Sequence, residues 1–77
     1  MANITSKATK DSLKIYIDEH LHVTILSKMH GVVSYIDEFE ICQYHIDILL
    51  DKGVKMSLEY EERDVWEAML KELDKRL

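Results

Sequence analysis

A chain of 77 residues is one small domain, and at that size folding buries only about 60–65% of the unfolded surface, so the core is thin and little stability is left for a buried catalytic cleft. Hydrophobic residues at 47% and charged residues at 32% exclude an intrinsically disordered chain. The formal charge of -5, from 15 acidic and 10 basic residues, argues against a phosphate-backbone binder, which needs a basic excess or stripe; nucleic acid is the secondary expected partner.

In chain order, the first segment carries two periods at once. Leu13, Ile15 and Ile17 alternate, whereas Leu13, Tyr16, Ile17 and Leu21 make a helical stripe with Ser6 or Thr9 as a cap. The cap favours a short N-terminal helix ending near Asp18. On that helix Lys7, Lys10 and Lys14, three and four apart, share one face, either a solvated surface or a nucleic-acid contact. "LHVTIL" reads as a strand, with Leu21, Val23 and Ile25 on one side.

"GVVSYIDEFEIC" is either a strand that bends at Asp37 or the start of a long helix. The helix would use Tyr35, Phe39, Cys42, Ile46 and Leu49 as its stripe, and it would strand Ile41, Tyr44 and Ile48 on the polar side. The strand wastes less apolar surface. Beyond it, Tyr44, Ile46, Ile48 and Leu50, then Val54, Met56, Leu58 and Tyr60, alternate on either side of "DKG", a hairpin over residues 44–60 with Gly53 supplying the positive φ of its loop. The period then lengthens. Trp66, Met69, Leu70, Leu73 and Leu77 form the stripe of a helix over about 65–77, with Asp64 and Glu67 spaced as a capping box.

These elements make an α+β domain filling residues 1–77: a small antiparallel sheet or SH3/Sm-like partial barrel with an N-terminal and a C-terminal helix. The alternative is an all-α three-helix bundle. As strands, Gly31, Val33, Ile36, Asp37, Phe39 and Ile41 resemble the first motif of Sm-like proteins, especially the bacterial Hfq type, and that resemblance implies ring assembly and RNA binding. The Lys-His pair of the second Sm motif has no counterpart, because "LEYEERD" stands there. The order of "GVVSYID" and "ILLDKGVKMSL" also resembles the small YolD-like proteins of Gram-positive bacteria and their phages.

His20, His22, His30 and His45 match no zinc-ligand spacing, no phosphate-binding loop or nucleophile elbow occurs, and Cys42 has apolar neighbours and no evident base, so no metal or other cofactor and no enzymatic activity is expected. With one cysteine, no internal disulfide framework can form, and the expected compartment is the cytoplasm. The expected function is that of a small acidic regulator or adaptor, acting through protein contacts at Tyr16, Tyr44, Tyr60, Glu61, Glu62 and Glu67, with a homo-oligomer allowed. A divergent Sm-like RNA binder using Lys7, Lys10 and Lys14 is the alternative.

Overall fold

The computed structural model describes residues 2–77, an α+β arrangement of two three-stranded antiparallel sheets and one C-terminal helix. The first sheet runs β1 (Ile4–Ala8), β2 (Leu13–Ile17) and β3 (His20–Ile25) in sequential order; the second runs β4 (Met29–Ile36), β5 (Tyr44–Leu50) and β6 (Lys55–Tyr60), followed by α1 (Arg63–Asp74).

The segment expected as an N-terminal helix is instead the β1–β2 hairpin, and the all-α alternative falls with it. Thr9 does cap a turn, but a β-turn: its amide donates to the Ser12 carbonyl at 2.8 Å and its hydroxyl accepts from the Ser12 amide at 3.1 Å. The alternation of Leu13 and Ile15 wins over the helical stripe because pairing on both sides buries those two residues in the core. Asp18 and Glu19, at φ 48° and 70°, close a two-residue turn into β3 without glycine. Asn3 holds this turn, donating its amide to the Asp18 carboxylate and accepting the Asp18 amide, each at 2.9 Å.

Residues 31–42 form a strand and a loop, not the start of a helix. β4 ends at Ile36, the chain turns at Asp37, and β5 starts at Tyr44. The hairpin over residues 44–60 forms as expected, its loop using Gly53 at φ 73° and also Lys52 at φ 61°. The helix begins before the expected capping box, with Glu62 at its N-cap. Asp64 accepts from the Val65 amide at 3.0 Å within the first turn, and Glu67 pairs with Arg63 at 2.9 Å instead of reaching back to the cap.

One core joins all three parts: Leu13, Ile15 and Ile25 from the first sheet, Ile46, Ile48, Leu50 and Tyr60 from the second, and Trp66, Met69 and Leu73 from α1. Trp66 is buried, with its ring 5.3 Å from Tyr44 and its Nε1 donating to the His45 carbonyl at 2.9 Å. The helix end also docks on β1, where the Ser6 hydroxyl donates to Glu72 at 2.7 Å and Arg76 donates to the Ser6 carbonyl at 3.1 Å. The Ser6 hydrogen bond, with Lys75 nearby, holds the Glu72 carboxyl below its usual range despite its burial.

Tyr60 supplies a first testable consequence. Burial pushes its phenol up to about 12 from an ordinary value of 10. The folded protein therefore keeps a proton that the unfolded chain loses between those values, and stability present below pH 10 declines as pH rises toward 12. A shift of that size sets an upper bound of roughly 2–3 kcal/mol on the decline, which solvent screening of the phenolate reduces. Urea midpoints measured from pH 9 to 12 are expected to fall for the wild type and to fall much less for Tyr60→Phe, which has no proton to lose.

Candidate functional site

Of the apolar residues left uncovered by this core, Leu21, Leu26, Val54 and Leu77 are scattered, whereas Tyr35, Ile36, Phe39 and Ile41 gather at one end of the second sheet. Through Ile36 the sequence carries four basic and three acidic side chains; after it, six basic and twelve acidic. The acidic half begins at the β4–β5 loop. There the Asp37 amide donates to the Gln43 carbonyl at 2.8 Å, the Asp37 carboxylate accepts from the Phe39 amide at 3.0 Å, and the Glu40 amide reaches the Asp37 carbonyl at 3.3 Å. This Asx-type turn ends the strand and fixes the loop.

Its effect is to hold Phe39 and Ile41 away from the protein, 101% and 85% exposed. Leaving a phenylalanine or isoleucine in water forgoes about 1.5–3 kcal/mol of burial each; Phe39 stands between Glu38 and Glu40, and Ile41 follows Glu40. Tyr35 and Ile36 extend the exposed apolar area down β4. An apolar centre with a charged rim on a fixed loop is the composition of a contact surface.

The outward face of the second sheet continues from the loop in cross-strand rows: Tyr35, His45 and Glu59; then Val33, Asp47 and Ser57; then Gly31, Leu49 and Lys55. Tyr35 lies flat on the His45 imidazole, with centroids 4.7 Å apart and 3° between planes, and this covers His45 to 6% exposure. His45 Nδ1 is 3.8 Å from Glu59 Oε1, and its Nε2 has no hydrogen-bond partner. Asp47 accepts from Ser57 at 2.8 Å and lies 3.8 Å from Lys55. Partial desolvation, then the charges of Asp47, Glu59, Asp37 and Glu40, push the Tyr35 phenol up. The Cys42 thiol is likewise raised, by desolvation and by Glu61, Glu59 and Glu40.

The expected site residues separate into three groups. Glu61 and Glu62 are exposed beside Cys42, lining with it a shallow cleft of about 350 Å³ next to the acidic loop. Tyr44 is half-buried against Trp66, Tyr16 is half-buried in β2, and Glu67 is exposed on α1 but engaged by Arg63. Tyr60 is a correction: it belongs to the core, with its hydroxyl 3.0 Å from His22 Nε2, and is no exposed contact. Phe39, Ile41 and Tyr35 were not among the expected contacts. The signal for the first two is "DEFEI", apolar residues interleaved with acids directly after a turn-forming Asp.

Lys7, Lys10 and Lys14 share no helix face. Lys7 stands directly opposite Lys14 in the β1–β2 ladder, with the pair Thr5 and Tyr16 two positions along, while Lys10 lies in the turn. Lys10 also lines an open cleft of about 630 Å³ with Asp11, Lys28, Met29 and Asp51. At this cleft His30 Nε2 bonds the Asp51 carboxylate, and that bond holds the Asp51 carboxyl below its usual range. Among the described residues, no group of three His, Cys, Asp or Glu side chains is placed to hold a metal ion, and no helix is long and apolar enough to cross a membrane.

Compared with known proteins, the chain matches no protein-family model, no curated protein and no solved structure. Fold and surface together define a small α+β domain with an acidic, apolar-tipped hairpin end.

Proposed function

We propose that this protein is a small acidic, non-enzymatic adaptor or regulator that works in the cytoplasm by docking the β4–β5 hairpin end onto a basic protein surface. The observation that carries the proposal is the complete exposure of Phe39, with Ile41 beside it, on a loop fixed by Asp37 and rimmed by Glu38, Glu40, Glu61 and Glu62. The apolar pair supplies the buried centre of an interface and the carboxylates steer and orient a cationic partner. Tyr35 and the Cys42 cleft extend the same surface.

A second reading, RNA binding of the Sm-like kind, draws support from the Lys7–Lys14 pair beside Tyr16, since cations flanking an aromatic on a sheet face suit a single strand. Against it stands the acidic second half of the chain, which repels a phosphate backbone.

The test compares wild type, Phe39→Ser/Ile41→Ser and Lys7→Gln/Lys14→Gln as immobilised baits at two salt concentrations. Because Phe39 and Ile41 make no core contact, the first variant is expected to keep its denaturation midpoint within about 0.5 kcal/mol. It is also expected to lose the salt-sensitive protein partner that the lysine variant retains. Retention of every partner by the loop variant, or salt-sensitive RNA binding lost in the lysine variant, would overturn the docking proposal.

A further inference from the structure

β4 is an edge strand, with β5 on one side and no strand on the other among the described residues. The Asp37 amide bonds the Gln43 carbonyl, which fixes the phase of the β4–β5 ladder. Because bonded and non-bonded positions alternate along an antiparallel pair, Val33 and Tyr35 exchange their main-chain bonds with β5. Val32, Ser34 and Ile36 turn theirs outward.

This edge lacks the usual protection. An exposed edge is normally blunted by a charge, a proline, a bulge or a covering element. Gly31–Ile36 has no charged side chain and no proline, and the bulge at Met29/Gly31 precedes it. Of the other edges, β6 carries Lys55 and Glu59, and β1 carries Lys7 and receives the helix end through Arg76; β3 also has no charged residue or proline, but its ladder with β2 is broken by a register shift and its His22 is tied to Tyr60.

We propose that β4 pairs antiparallel with β4 of a second copy about a two-fold axis through Val33, joining the two β4–β5–β6 sheets into one sheet of six strands. The charge pattern suits a second copy of this strand. The uncharged stretch has Lys28 before it and Asp37 and Glu38 after it. An antiparallel two-fold brings each basic end onto the acidic end of its mate, whereas parallel pairing would set like against like.

The register follows from the same residues. A two-fold normal to the sheet keeps side chains on their own face, so the numbers of facing residues must sum to an even value. With the axis at Val33, the outward-turned Val32 and Ser34 face each other across the interface and can exchange both main-chain bonds. Gly31 faces Tyr35, so the residue opposite the bulky phenol has no Cβ and the ring can stay stacked on His45. Lys28 faces Glu38. Phe39 and Ile41 lie beyond the pairing, so the docking end remains available on each copy.

Sedimentation equilibrium tests the pairing. Wild type is expected at twice its 9.1 kDa mass at concentrations of about 100 μM, a threshold suited to a modest strand-edge interface. V33K, which sets like charges face to face at the axis, is expected to be a folded monomer by far-UV circular dichroism. S34P removes an outward amide and is expected to do the same. K28E is expected to weaken the dimer by about threefold to tenfold, and K28E/E38K to restore it. A monomeric wild type, or a dimer that both V33K and K28E leave unchanged, would overturn the proposal.

Discussion

Trp66→Ala is expected to lower stability by about 3–5 kcal/mol, the cost of truncating a buried tryptophan. The loss combines the apolar contact with Tyr44, the space left between α1 and the second sheet, and the His45 carbonyl stripped of its Nε1 donor. Marginal domains hold only about 5–15 kcal/mol in total, and a 77-residue chain belongs toward the low end. The variant should therefore be largely unfolded at moderate urea. Trp66→Phe separates the terms: it keeps most of the ring contact but orphans the carbonyl, at an expected cost of about 1–2 kcal/mol. Urea titrations followed by far-UV circular dichroism check both values, and an unchanged midpoint for the alanine variant would place the indole outside the core.

Ile15→Ala is the second large effect, about 2–5 kcal/mol for a fully buried aliphatic side chain. It carries more information than its size suggests. Ile15 lies in the first sheet and Trp66 packs against the second, yet both belong to the same buried cluster. Cooperative unfolding of one core requires the tryptophan fluorescence midpoint to fall together with the circular dichroism midpoint, although the indole is untouched. If the fluorescence transition stayed in place while amides of β1–β3 exchanged faster, the sheets would be separate folding units and the single-core description would be wrong.

The contrast between the two hairpins explains which parts of this fold could be read from the sequence. β5 and β6 alternate over their full lengths around a loop with Gly53, so local pattern and turn chemistry agree. β2 is only five residues long, and Leu13, Ile15 and Ile17 overlap with a helical stripe that includes Tyr16 and Leu21. What decides between them is non-local, the pairing of β2 with both β1 and β3 and the burial of Ile15 against the helix and second sheet. The Asp18–Glu19 turn gave only a weak cue, since Asp18 tolerates a positive φ but Glu19 stands where such turns usually carry glycine.

The candidate surface was half visible for a similar reason. The acidity of Glu61 and Glu62 is a property of composition and needs no structure. Phe39 and Ile41 alternate with Glu38 and Glu40, so they read as a continued strand with a buried side. The Asp37 turn converts that alternation into exposure, because it ends the ladder one residue after Ile36. Tyr60 went the other way: an aromatic at the end of an alternating run looks available, and only the packing of α1 and the bond to His22 show it to be enclosed.

Site-specific photo-crosslinking tests the docking surface most directly. A photoreactive side chain is placed at position 39 in one sample and at position 14, on the opposite sheet, in another, and each is irradiated in host extract at low and high salt. Docking through the hairpin end predicts a protein adduct at position 39 that fades as salt rises, with no matching adduct at position 14. Adducts at position 14 alone, or adducts to RNA in place of protein, would contradict it.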